Sequence, residues 1–148
     1  MSGYSMKVTI SLEGANTLIE AAQAKARELG IRVCVCVVDE SGVLKAFSRM
    51  DGAPLMAVGV ARLKAVTAAG FGLPTGQAWW SFIEGDPVLR EGVHSIPEFT
   101  LLGGGAPIRI RGEIAGGIGV SGGHYREDEA CVASALAALE PDARQGES

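Results

Sequence analysis

Two histidines, His94 and His124, are the only imidazoles in a chain of 148 residues. A neutral imidazole exchanges a proton near physiological pH and can ligate a haem iron, so either one can act as a general acid–base catalyst or as a metal ligand. His94 falls in the least patterned stretch, between Glu91 and Glu98, and loops of that kind often carry function. His124 precedes an amphipathic segment, where its plainer role is that of a helix cap. Arg49 and Asp51 flank a turn. They can pair with each other, Asp51 can cap the next helix, or the Arg49 guanidinium can receive both oxygens of a carboxylate. Lys64 and Thr67 are three apart and share a face if that segment is helical. The small residues Ala61, Ala65, Ala68 and Ala69 would let a ligand approach that face, so a half-buried Lys64 suits an anion. The alternative is a solvated surface lysine. Gly103, Gly104 and the glycines flanking Ser121 either make turns or leave backbone N–H groups open to a ligand. Asp128 gains from the dipole at a helix start and can also orient His124 if the two face one pocket. The candidate ligand set is therefore Arg49, Asp51, Lys64, Thr67, Gly103, Gly104, Ser121 and Asp128, with His94 and His124 as candidate catalytic groups or haem ligands.

These residues need elements to hold them. Leu12, Ala15, Leu18, Ile19, Ala22, Ala26 and Leu29 recur at helical spacing, with Ser11 as N-cap and Gly30 as the stop. Residues 31–38 read as a central strand covered on both faces, and 43–48 as its hairpin partner across the Asp39–Gly42 turn. Pro54 opens a second helix that runs to about Ala69. Thr75 caps a short helix through Trp79, Trp80 and Phe82, whose aromatic patch reads as core or subunit contact. Residues 91–97 read as a loop. Residues 99–102, 108–111 and 114–121 read as three more strands, and 125–139 as a closing helix. The order α-β-β-α-(α)-β-β-β-α predicts an α+β, profilin-like domain with an antiparallel sheet of about five strands and helices on its faces. Gly103–Gly105 lead into a strand, so no helix N-terminus stands there to make a phosphate loop.

Composition narrows the classes. Apolar residues make up 47% and charged residues 20% of the chain, with 13 basic against 17 acidic side chains, which excludes a disordered chain and argues against nucleic acid or an anionic membrane as partner. No apolar run reaches the ~20 residues of a membrane span, and the first residues lack a basic patch followed by an apolar stretch, so a cytoplasmic home is expected. Cys34, Cys36 and Cys131 make an odd count and read as buried apolar residues rather than a zinc site. One domain spanning 1–148 is expected, with its core at about 8–140 and a flexible tail at 141–148.

In order along the chain come Arg49-Met50-Asp51-Gly52-Ala53, Lys64-Ala65 with Thr67-Ala68, Gly103-Gly104-Gly105, and Gly116-Gly117-Ile118-Gly119-Val120-Ser121-Gly122-Gly123. This text resembles the GlcG/HbpS-like family, which includes the C-terminal domain of PduO-type corrinoid proteins, over roughly 12–139. The resemblance implies a small α+β domain that assembles into dimers or larger homo-oligomers. Several members bind haem; others accompany glycolate, diol or aromatic-degradation functions without a settled activity. His124 departs from the family pattern, which has a small hydroxyl residue there, and no axial haem ligand carries over by residue. The expectation is a small-molecule binding protein taking an anionic ligand, haem or an organic acid. The alternatives are a cofactor-independent lyase, isomerase or hydrolase acting on a small carboxylate, and a structural or partner-binding module.

Overall fold

The computed structural model describes residues 2–139; the tail expected at 141–148 lies outside that range. Helix α1 (Leu12–Leu29) starts where Ser11 Oγ accepts the Gly14 N–H at 3.0 Å. It ends at Gly30, whose φ of 74° is open to glycine without steric cost. Strands β1 (Cys34–Asp39) and β2 (Leu44–Arg49) form the expected hairpin, with the Asp39 carboxylate accepting the N–H groups of Ser41 and Val43 across the turn. Helix α2 (Ala57–Phe71), the short helices α3 (Gln77–Ile83) and α4 (Pro87–Gly92), and a 3-10 turn (Val93–Ser95) follow. Strands β3 (Gly105–Ile110) and β4 (Glu113–Ser121) and helix α5 (Tyr125–Ala137) complete the chain.

The fold is α+β with an antiparallel sheet, as expected, but among the described residues the sheet has four strands, in the order β2-β1-β4-β3. Residues 99–102 are not a strand. Phe99 and Leu101 instead pack onto a small core of Trp79, Ile83 and Val93, and that burial replaces ladder pairing. Residues 91–97 are not simply a loop: Asp86 accepts the Val88 and Leu89 N–H groups and Pro87 opens α4, which runs into the 3-10 turn. Helix α2 begins at Ala57 rather than at Pro54, and Met56 holds its N-cap position without a side-chain bond, so Asp51 does not cap it. Thr75 does not cap α3 either; its hydroxyl accepts the Gly105 N–H at 2.8 Å and fastens the start of β3.

Alternation along the strands builds two faces. Val33, Val35, Val37, Ile108, Ile118 and Val120 pack under α1 and α5. Cys34, Cys36 and Val38 face α2, meeting Ala57, Ala61, Ala65 and Ala69. Opposite α2 the other strands carry glycine. A Cβ on Gly119 would lie 2.0 Å from the Ala61 carbonyl oxygen, one on Gly117 2.3 Å from that of Ala65, and one on Gly105 2.5 Å from that of Lys64. Helix and sheet backbones therefore touch with no side chain between them. No helix among the described residues is long and apolar enough to cross a membrane.

Replacing Gly119 by alanine forces this layer apart and should cost about 3 kcal/mol. Gly59→Ala, on the same helix where a Cβ meets nothing, should raise stability by up to about 1 kcal/mol. Urea denaturation of the two variants checks the contrast, and equal midpoints would refute the contact.

Candidate functional site

Lys64 leaves α2 toward the sheet and is 2% exposed, as is Asp128 on α5. The Lys64 ammonium donates to the Val120 carbonyl at 2.8 Å and to Asp128 Oδ2 at 2.9 Å. The other Asp128 oxygen accepts the Gly123 N–H at 3.0 Å. The pair thus ties α2, the end of β4 and α5 together. Burial pulls the lysine below its usual range and pushes the aspartate above its own, and each opposes the other's shift through charge and hydrogen bonding. An ammonium has three hydrogens; two are used here. Lys64 also lines a hollow of about 400 Å³ with Ser121, His124, Tyr125 and Leu102. Its third hydrogen and the Ser121 hydroxyl, which has no side-chain bond among the described residues, are two of the polar groups that line it.

His124 is the N-cap of α5. Its Nδ1 accepts the Arg126 N–H at 3.1 Å, and the Glu127 carboxylate accepts the His124 N–H at 3.0 Å. An accepting Nδ1 places the proton of a neutral ring on Nε2. Iron ligation or proton abstraction through Nε2 would therefore require the proton to move to Nδ1 and the cap to break. As it stands, His124 is a hydrogen-bond donor. Asp128 lines the same hollow but bonds Lys64 and Gly123, not His124.

The hollow adjoins others. It shares Leu102 and Tyr125 with a second, of about 480 Å³, lined also by Gly103, Trp80, Leu101 and Glu129. The second shares Trp80 and Leu101 with a third, of about 370 Å³, which contains His94. The result is a trough with His124 at one end and His94 at the other, floored by Leu101, Leu102, Trp80 and Tyr125. Arg90 lies over the Trp80 ring at 5.6 Å and Arg126 over that of Tyr125 at 5.7 Å. His94 is exposed and its side chain has no hydrogen bond among the described residues, while its neighbour Val93 is buried in the small core below the turn.

The other predicted residues are distributed differently. Thr67 is buried and accepts the Thr100 N–H at 3.1 Å while its hydroxyl lies 2.7 Å from the Leu63 carbonyl, so it fastens the 98–100 segment to α2. Gly104 lies against Lys64 Nζ, where a Cβ would be 2.8 Å away, and its φ of 117° suits glycine. Arg49 and Asp51 are exposed, form no ion pair with each other among the described residues, and line a separate hollow beside α1. The motifs thus converge on one end of the sheet, since Arg49 and Ser121 both stand beside Cys34, but divide between two hollows. Sequence reading missed α4 and the trough floor. The Asp86-Pro87 start of α4 was a readable capping signal, whereas the adjacency of Leu102 to Tyr125 had none.

A family model described as "Haem degrading protein HbpS-like" matches residues 10–137. The chain belongs to the HbpS-like family. This HbpS-like chain is 35% identical over 115 residues to protein GlcG of Escherichia coli K12, covering 78% of this chain and 83% of that protein. It superposes on protein ORFY of Klebsiella pneumoniae with a TM-score of 0.86 at 26% identity, covering 95% and 99% of the two chains. A crystal structure of a PduOC–haem complex gives a TM-score of 0.82 at 28% identity, covering 90% and 96%.

Removing one member of a buried ion pair leaves the other unpaired, at a cost of about 3–5 kcal/mol. Lys64→Met should lose that much in urea unfolding, and Lys64→Met with Asp128→Leu markedly less. In Asp128→Ala the unpartnered Lys64 has a folded pKa below its unfolded value. The neutral lysine is then the form that the fold tolerates, so the variant should gain stability as pH rises from 7 toward 10. A flat profile over that range would exclude an uncompensated lysine.

Proposed function

We propose that this chain binds haem along the trough, with His94 as the iron ligand. The observation that carries this reading is a run of adjoining hollows, partly lined by aromatic and aliphatic side chains, that ends at an imidazole with no side-chain hydrogen bond among the described residues. Trp80, Leu101, Leu102 and Tyr125 supply the apolar walls, and Arg90 and Arg126 stand where they can pair with propionates. A proximal histidine is a common haem ligand, and the iron supplies whatever redox chemistry follows. The HbpS-like family description and the haem complex of PduOC support the same class of ligand. His124 serves instead as a cap and a donor at the far end.

The reading extends to self-association, supported by the exposed apolar side chains Leu55, Met56 and Phe82, and to a reducing, cytoplasmic compartment, supported by three buried free cysteines. A second reading, binding or turnover of a small carboxylate, is favoured by the spare Lys64 hydrogen and the free Ser121 hydroxyl in the inner hollow.

Haemin titration followed at the Soret band separates these. A saturable shift is expected, lost in His94→Ala and retained in His124→Ala. A wild-type protein without a saturable shift, or a shift that survives His94→Ala unchanged, removes the proposed ligation. Mass spectrometry of what the denatured protein releases then distinguishes haem from a carboxylic acid.

A further inference from the structure

A separate hollow of about 590 Å³ lies beside α1 and shares no lining residue with the trough. It is lined by Arg27, Arg32 and Arg49, with Gln23 and one carboxylate, Asp51. Three parts of the chain bring the three arginines to the lining of this hollow. Arg27 stands in the last turn of α1. The left-handed cap at Gly30 folds the chain back, so that the Ile31 N–H bonds the Ala26 carbonyl at 2.9 Å and Arg32 follows directly. Arg49 ends β2, opposite Cys34 at the start of β1.

None of the three takes part in an ion pair among the described residues, although the chain has 17 acidic side chains. The other cations that face carboxylates are paired: Lys25 with Glu28, Arg62 with Glu98, Lys64 with Asp128. Arg32 is held in place by donating from Nη1 to the Asp51 backbone carbonyl at 2.9 Å, which uses one of its five N–H groups. A concave surface with an excess of one charge, here three guanidinium groups against one carboxylate, concentrates its field on a counter-ion. Planar guanidinium groups grip carboxylate and phosphate oxygens two at a time. The volume is within the range of small-molecule sites.

We infer that the Arg27–Arg32–Arg49 hollow is a binding site for a small organic polyanion, one that carries two or more carboxylate or phosphate groups. The inference does not depend on haem, because the two sites share no lining residue. One carboxylate cannot neutralise three guanidinium groups, and a monoanion would leave one uncompensated. A ligand with two or three anionic groups matches the charge, and Gln23 offers it a neutral amide at the wall.

Isothermal titration with citrate, inorganic phosphate and acetate, each at one ionic strength set with sodium chloride, tests the site. Citrate should bind saturably and acetate at least about tenfold more weakly. The double variant Arg27→Gln, Arg49→Gln, at two exposed positions, should keep its circular dichroism spectrum and weaken citrate about ten- to a hundredfold. Phosphate binding more tightly than citrate, and lost in the same variant, would support the site and assign it to phosphorylated ligands. No saturable heat from citrate or phosphate, or citrate binding that survives the double variant, overturns the proposal. Haemin titration of Arg27→Gln run in parallel should match wild type, so failure of one reading is distinguishable from failure of the other.

Discussion

Everything at the business end of this molecule depends on how closely α2 lies on the sheet. Gly105, Gly117 and Gly119 remove the side chains from three positions of β3 and β4 beneath the helix, and the carbonyls of Lys64, Ala65 and Ala61 settle into the space. At that spacing Lys64 has nowhere to go but along the sheet. Its Cβ passes over Gly119, its carbonyl over Gly105, and its ammonium ends beside Gly104. There the Val120 carbonyl and the Asp128 carboxylate receive it. A buried charge is tolerated only with partners in good geometry, and the glycines make that geometry reachable. The abundance of glycine, 21 residues, is thus a packing requirement as much as a turn requirement.

Much of this was legible in the sequence. The period of α1, its serine and glycine ends, the hairpin and the closing helix all follow from local rules, and the structure keeps them. The motif text located the end of the sheet where Arg49 and Ser121 both stand beside Cys34. Two kinds of information were not legible. Residues 99–102 have the composition of a strand, but Phe99 and Leu101 are claimed by Trp79 and Val93, which are distant in sequence. Lys64 and Arg49 were expected in one ligand set, with the hairpin exit and the glycine-rich strand folding onto the Lys64 helix. Their separation is set by which face of the sheet each approaches, and no spacing rule carries that.

The position of His124 shows how local chemistry decides between roles. Its type suggests a ligand or a base, but the ring nitrogen nearest the helix is already an acceptor for a backbone N–H. With Glu127 and Asp128 taking two more backbone donors at the same terminus, the start of α5 is satisfied by its own side chains. An anion arriving there finds little open N–H, so recognition falls to side chains such as Lys64 and Ser121.

The helices α3 and α4 have a further consequence. Helix α4 buries none of its own residues, and this part of the chain is attached through the small core of Trp79, Ile83 and Val93 and the ring contacts of Trp79 with Phe71 and Phe99. It nonetheless supplies Trp80 and His94, one whole bank of the trough. Segments fastened so lightly open on their own, well below the free energy of global unfolding. Occupancy of the trough would therefore act as a latch: a guest held between this outrigger and the α5 start would slow its excursions, and the backbone amides of 77–95 would register the guest's arrival without any change in the average fold.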